Sequence, residues 1–376
     1  MVTDKMNNNK SSIKRLVVKI GTSVLVDGNK KISTDKIKAI ARQVRAIKAM
    51  NIDVIIVSSG AIACGMETVG LTKKPKEIAK RQALASIGQV LLMKMYRENF
   101  EKEDIKVGQI LLTHEDIKNR VRCINLMNTL DMLIEMGIVP VINENDALSF
   151  TEIKFGDNDN LSALIAQIAD ADLLLLLSDV EGLFDCDPNE NPRACMIPVV
   201  KKIDKDIEKT ATGTGSEKSV GGMVSKLEAA KKAGLYGIPT RIVLGTKKDI
   251  ILKVVEGQAI GTLFLPERKL GRQKWWTAFA FKPKGVLWID EGAERAVVHN
   301  GKSLLPSGIV KADGAFTSGE CIEMKNVRGE VIAKGITNYS SSDIEKIQGL
   351  KSVDIEKKLG YKYTEEIIHR DNMVVI

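Results

Sequence analysis

Residues Leu173 to Leu177 are five consecutive leucines, closed by Ser178 and Asp179. A strand with one wet face alternates apolar and polar residues. An unbroken aliphatic run of strand length needs cover on both faces, which a parallel sheet layered between helices supplies. The pattern recurs. Leu16 to Ile20 reads LVVKI and ends in Gly21-Thr22-Ser23; Asp53 to Val57 ends in Ser58-Ser59-Gly60; Val139 to Asn143 runs into Asn143-Glu144-Asn145-Asp146. Val107 to Leu112 and Thr240 to Leu244 add two further runs. Between them lie helical patterns: Ile37 to Met50, Arg81 to Phe100 with Pro75 at its start, Arg120 to Met136 closed by Gly137, Leu161 to Ala169, and Lys226 to Ala233. Alternating strands and helices predict a doubly wound α/β domain. In such folds ligands sit beyond the carboxyl ends of the strands.

The polar residues at those ends define the chemistry. Asp146 and Asp179 each follow a strand, and Asn158 to Asn160 open a helix whose free N–H groups favour an anion. Together they suit a ligand carrying both positive and negative groups. Ser58-Ser59-Gly60 before a helix has the form of a small anion nest. Lys19 interrupts an apolar strand near its end, and two readings stand: an edge-strand lysine kept in solvent, or an ammonium fixed toward phosphate, with Gly21 letting backbone approach closely. Thr210 to Gly222, rich in Gly, Ser and Thr, is read as a flexible loop able to close over a nucleotide.

Several classes are excluded or weakened. The chain has no GxxxxGK[ST], no GxGxxG after the first strand and no protein-kinase signature set. Its five cysteines are scattered without a CxxC pair, which argues against a disulfide framework or zinc and for a reducing, cytoplasmic setting. None of His114, His299 and His369 sits beside a Ser, Cys or acidic cluster, so triad chemistry lacks support. Asp185 and Asp187 lack EF-hand spacing. The start of the chain has no apolar core of a signal, and no run reaches a membrane span.

Organisation changes along the 376 residues. Residues 1–12 read as a polar tail, 13–266 as the α/β domain, 267–283 as a basic linker holding Trp275 and Trp276, and 284–376 as a small β-rich domain with turns at Gly308, Gly314, Gly319 and Gly329. The net charge is +8, yet the part from Lys284 onward carries 13 Lys+Arg against 14 Asp+Glu. The basic surplus therefore lies in the rest of the chain, where it suits either nucleic acid or an anionic substrate such as a nucleotide.

The motifs VVKIGTSVL, IVSSGAIACG, VINENDA, GDNDNLSALIA, LLSDVEGLFDCDP and GGMVSKLEAA occur in that order from Leu16 to about Pro266. They resemble the glutamate 5-kinases of the amino-acid kinase family. IDEGAERAVV, GKSLLPSGIV and HRDNM resemble the PUA domain that bacterial members carry. The resemblance implies a three-layer αβα sandwich with a mainly parallel sheet, followed by a β-barrel-like PUA domain. It implies ATP-dependent phosphorylation of the L-glutamate side-chain carboxylate, the first step of proline synthesis, with Mg²⁺ on the phosphates and proline as feedback inhibitor. It further implies a dimeric or tetrameric homo-oligomer, and glutamate-5-semialdehyde dehydrogenase as the enzyme that would take the labile product. Carried over residue by residue, Lys19 and Lys226 would contact the transferring phosphoryl group and Asp159 would orient them. Ser59, Gly60, Asp146 and Asn158 would hold glutamate. Ser178, Asp179, Val220, Gly221, Gly222, Met223, Val224 and Ser225, with Lys19 and Lys226, would line the ATP site. Relatives often have Thr at 178 and 220; Ser178 keeps a hydroxyl, whereas Val220 offers only its backbone. Two other classes compete. PUA domains occur in RNA-modifying enzymes, but the near-neutral C-terminal count argues against strong RNA binding. A catalytically dead regulatory chain is disfavoured by the presence of Lys19, Asp159 and Lys226.

Overall fold

The computed structural model describes residues 13–28, 31–148, 157–188, 191–212, 217–266 and 283–376. The N-terminal tail, the linker with Trp275 and Trp276, and residues 149–156 after Asp146 lie outside that set. Two compact units result.

The first unit is built on one sheet. Its strands are β1 (Arg15–Ile20), β2 (Asp53–Val57), β3 (Val107–Leu112), β4 (Val139–Glu144), β5 (Leu173–Ser178), β6 (Val199–Val200), β7 (Thr240–Leu244) and β8 (Thr262–Phe264). They stand in the order β3-β4-β2-β1-β5-β7-β8-β6. The six strands from β3 to β7 are mutually parallel, and β8 turns antiparallel to β7. Strands β4 and β5 are buried along their whole length, as unbroken aliphatic runs require. The helices are α1 (Thr22–Leu25), α2 (Thr34–Lys48), α3 (Ala61–Thr68), α4 (Ile78–Glu101), α5 (His114–Lys118), α6 (Arg120–Glu135), α7 (Asp157–Ile168), α8 (Lys205–Thr212), α9 (Glu217–Leu235) and α10 (Ile250–Val255). In the core, Leu16, Val18 and Ile20 of β1 meet Ile37, Val44 and Ile47 of α2 and Leu175 of β5.

The path of the chain matters more than the inventory. From β1 it moves to β2, β3 and β4 on one side, then returns to β5 on the other. Strand β1 is thus the switch point, and a crevice opens beyond its carboxyl end. The edge-strand reading of Lys19 is corrected here: β1 is central, and Lys19 pairs in register with Val57 on one side and Leu176 on the other.

Two other expectations change. The Gly-Ser-Thr stretch is not one loop from 210 to 222: α8 reaches Thr212 and α9 already begins at Glu217, with 213–216 outside the described residues. Gly221 and Gly222 each cost a helix about 1 kcal/mol relative to Ala. Packing of α9 along α7 and α8 outweighs that weak local preference. Pro75 does not open α4; the helix starts three residues later, at Ile78.

The second unit holds five strands, β9 (Val286–Ile289), β10 (Ile309–Asp313), β11 (Cys321–Lys325), β12 (Val331–Ile336) and β13 (Met373–Val375), in the order β10-β9-β11-β12-β13. Helices Glu291–Val298, Ser341–Ile347 and Ile355–Leu359 accompany them. Leu287, Ile289, Ile322, Met324, Tyr339, Ile344 and Ile368 form its own apolar core. Among the described residues no helix is long and apolar enough to cross a membrane.

Candidate active site

Lys19 leaves β1 one residue before its end and is only 7% exposed. An ammonium taken out of water needs a partner. Asp159, 0% exposed, supplies it: Oδ1 lies 2.5 Å from Lys19 Nζ. Asp159 sits in the first turn of α7, which starts beyond β4 and packs over β1. Its other oxygen faces α9. Ser225 Oγ donates to Oδ2 at 2.8 Å, and Lys226 Nζ stands 3.6 Å from the same atom. The first turns of α9 are tied down locally, since Ser225 Oγ and Lys226 Nζ both donate to the Gly222 carbonyl, at 3.0 and 2.8 Å.

Two buried ammonium groups on one buried carboxylate leave a net positive charge. Burial pushes the Asp159 carboxyl up, but the charges of Lys19 and Lys226, with hydrogen bonds from Lys19 and Ser225, outweigh it and hold the group below the ordinary carboxylate value. Lys226 is pushed below the ordinary lysine value, first by burial and then by Lys19, against the opposing pull of Asp159 and Asp179. A buried cluster with one positive charge in excess is suited to an anion.

On the β2–β4 side lies a second group of polar residues. Ser58 and Ser59 follow β2, and Gly60 adopts φ +107° before α3 begins at Ala61. That left-handed turn, which favours glycine, aims the free N–H groups of α3 across the end of the sheet. Asn158 Nδ2 donates to the Ser58 carbonyl, Ser59 Oγ and Asn143 Oδ1, at 3.1, 3.0 and 3.1 Å. Ser59, Gly60 and Asn158 are therefore together. Ser58 Oγ is itself held by the buried Tyr96 hydroxyl of α4 at 2.9 Å. A cavity of about 340 Å³ adjoins Ala61, and Asp146 lines it with Glu144, Asn145, Gln89 and Gln109.

On the β5 side, Ser178 and Asp179 close the strand, with Ser178 Oγ donating to Asp179 Oδ1 at 3.0 Å. Asp179 is close enough to act on the Lys226 charge. Val220 to Lys226 occupy the first turns of α9, within the described backbone; the side chain of Val220 is not described. The candidate residues thus divide by strand: Ser59, Gly60, Asp146 and Asn158 lie at the ends of β2 and β4 and the start of α7, Ser178, Asp179 and Val220 to Lys226 on β5 and α9, with Lys19 between them on β1.

Three contributors were not singled out from sequence. Tyr96 and Gln89 sit in the middle of a long helix, where nothing in spacing distinguishes them from surface or core. Asn143 was visible as part of the acid-amide cluster, but its role as the link between Gln89 and Asn158 depends on register.

The amino acid kinase family profile matches residues 14–244, and the PUA domain profile matches residues 285–359. A glutamate 5-kinase from Geobacter sulfurreducens is 46% identical over 367 residues, 97% of this chain and 98% of that protein. Another from Caldanaerobacter subterraneus subsp. tengcongensis is 45% identical over 363 residues, 96% of this chain and 98% of its own length. The fold comparison returns a UMP kinase from Bacillus anthracis, at TM-score 0.47 and 18% identity over 69% of this chain and 98% of that one. The chain belongs to the amino acid kinase family and, within it, to the glutamate 5-kinases that carry a C-terminal PUA domain.

Proposed function

We propose that this chain transfers the γ-phosphoryl group of ATP to the side-chain carboxylate of L-glutamate, giving ADP and γ-glutamyl phosphate. The observation that carries the reading is the position of Asp159, held between Lys19 and Lys226 at the switch point of the sheet. A carboxylate with a pKa near 4.3 is already ionised at neutral pH, so the nucleophile needs no general base. The carboxylate oxygen forms a bond to the γ-phosphorus as the bond to the ADP oxygen breaks, and no proton moves. The difficulty is purely electrostatic, an anion approaching a polyanion. Fixed positive charge at the transferring group answers it. Asp159 takes no proton here; it holds two ammonium groups at a set spacing.

Ser59, Gly60, Asp146 and Asn158 are proposed to hold glutamate, Asp146 countering its ammonium group. Ser178, Asp179 and the residues from Val220 to Lys226 are proposed to line the ATP site. Mg²⁺ binds through one or two carboxylates plus substrate phosphates, keeping several waters. Asp179, just past the end of β5 and close enough to act on the Lys226 charge, would supply such a carboxylate. When bound, the ion adds positive charge on the β- and γ-phosphates. Proline, a cyclised relative of the glutamate skeleton, is proposed to compete near Asp146 and the segment 149–154, which lies outside the described residues. A homo-oligomer, and a dehydrogenase consuming the labile acyl phosphate, complete the reading. ATP turnover with L-glutamate, set against L-aspartate and N-acetylglutamate, tests it. Strong preference for L-glutamate is expected, and equal rates without any acceptor would overturn it.

A further inference from the structure

We infer that Gln89, in the middle of α4, is a positioning residue for the acceptor site: through Asn143 it steadies the Asn158 amide, whose oxygen faces the substrate. The inference rests on the glutamate-kinase reading above. Gln89 Oε1 accepts a hydrogen bond from Asn143 Nδ2 at 2.9 Å. Asn143, 2% exposed at the end of β4, turns its own oxygen the other way, accepting from the Glu144 N–H at 2.9 Å and from Asn158 Nδ2 at 3.1 Å. An amide has one donor end and one acceptor end. With its NH₂ held by Gln89, Asn143 presents an oxygen to Asn158. The Glu144 N–H holds the Asn143 oxygen from the other side, so the orientation has two anchors; removing the Gln89 acceptor takes one away and leaves the buried Asn143 NH₂ unpaired.

The consequence passes to Asn158. Its NH₂ is committed to Asn143, Ser59 and the Ser58 carbonyl, so its oxygen is left over. That oxygen, Asn158 Oδ1, is buried and has no hydrogen-bond partner among the described residues. A buried acceptor without a donor is costly, and in a functional site it marks where a ligand donor belongs. Glutamate at neutral pH carries one group of N–H donors, its ammonium. An Asn158 turned the other way would meet that ammonium with its own N–H groups. Gln89 thus favours an acceptor substrate with a donor at this point, without touching the reacting carboxylate. Its own Nε2 makes no hydrogen bond within the described chain, and Gln89 lines the same cavity as Asp146.

The experiment uses the full chain and two variants. Gln89→Leu removes the acceptor at similar bulk; Gln89→His keeps a neutral acceptor nitrogen toward Asn143. Steady-state kinetics should show the glutamate KM of Gln89→Leu raised about three- to tenfold, the scale of one neutral hydrogen bond. Its ATP KM should be unchanged, and Gln89→His should return the glutamate KM to within about twofold of the parent, an acceptor bond being restored without added charge. A merely structural role would move both KM values together and would not distinguish His from Leu. An unchanged glutamate KM in Gln89→Leu, a parallel rise in both constants, or a Gln89→His as impaired as Gln89→Leu would each overturn the inference. Parent chain that fails to phosphorylate glutamate overturns the functional reading and this inference with it. Parent chain that is active, beside a Gln89→Leu of equal glutamate KM, overturns the inference alone.

Discussion

Ser225 Oγ donates to Asp159 Oδ2 across 2.8 Å, joining the first turns of α9 and α7 at the carboxylate that both lysines face. The charges of Lys19 and Lys226 keep Asp159 ionised with no exposure, and this contact adds to them. Replacing Asp159 by Asn leaves two buried ammonium groups against a neutral amide. Breaking a buried pair on one side typically costs about 3–5 kcal/mol. Asp159→Asn is expected to lose stability on that scale in denaturant melts, and to recover part of it when ATP is added, because an anion binds the folded state only. The sign with pH is fixed. Asp159 in the folded chain lies below its ordinary 3.8, so its stabilisation is complete above that value and is lost as pH falls through the lower folded value. The stability gap between parent and variant should therefore narrow only in acid below about pH 4, around the unfolded carboxylate value.

Lys19→Ala and Lys226→Ala should each lower kcat by a factor on the order of 10² or more, with smaller effects on the glutamate KM, because the charge acts on the transition state. Lys226 also carries a pH signature. Its ammonium is held below the ordinary 10.5, so it loses its proton at a lower pH than an exposed lysine. If the charged form is required, kcat/KM falls on the alkaline side before pH 10.5. Lys226→Arg, whose guanidinium does not titrate in this range, should lack that limb even at reduced rate. An alkaline limb that survives in Lys226→Arg would assign the titration elsewhere.

Much of this was legible in the sequence, for a physical reason. Strands buried on both faces write themselves as unbroken aliphatic runs, and Leu173 to Leu177 or Asp53 to Val57 allow little else. Polar residues at the carboxyl ends of such strands lie where an α/β sheet opens its crevice, so Lys19, Ser59, Asp146, Asn158 and Asp179 stood out. Less legible was anything set by packing between elements. The start of α9 reads as a loop by composition and is helix because α7 and α8 flank it. Gln89 and Tyr96 read as ordinary helix positions; only the placement of α4 against the ends of β2 and β4 gives them partners.

Asp146 gives a separable effect. It lines the acceptor cavity with Glu144, Asn145 and Gln89, away from Ser178 and α9. Asp146→Asn removes the charge and keeps the shape. The glutamate KM should rise at least tenfold, the scale of a charge-assisted contact, while the ATP KM changes little. Equal loss for both substrates would point to folding or metal binding instead.

The crossing of α3 and α4 is a mechanical requirement of the same site. A Cβ on Gly88 would lie 1.9 Å from the Ala61 carbonyl oxygen and 2.3 Å from the Gly65 nitrogen. Both obstacles are backbone, so no side chain can swing aside. Gly88→Ala must separate the two helices and move Ala61, next to the Gly60 turn. A loss of about 3 kcal/mol, at the upper end of overpacking costs, is expected with a raised glutamate KM. Gly28→Ala, where a Cβ meets nothing within 4 Å, serves as the control. Melting both proteins decides the matter, and equal stability would mean that the crossing is slack.

The last prediction concerns the C-terminal unit. Every residue proposed for chemistry precedes Pro266, and each unit has an apolar core of its own residues. A unit with its own core can be removed when few contacts cross the boundary. A chain ending near Arg272 is therefore expected to fold and to phosphorylate glutamate, with regulation or assembly altered. The cut also removes Trp275 and Trp276, an apolar liability if left uncovered. A segment from Lys282 to Ile376 should fold by itself around Leu287, Ile322, Tyr339 and Ile344. With 13 basic residues against 14 acidic from Lys284 onward, it should bind RNA weakly and with a shallow dependence on salt, since few phosphates would be neutralised. Turnover by the shortened chain and RNA affinity over a salt series test the two halves. A well-folded but inactive shortened chain would make the C-terminal unit part of the catalytic machinery. Tight, salt-sensitive RNA binding would mean that its charges are segregated into a patch, and would give the domain a nucleic-acid partner that its overall balance conceals.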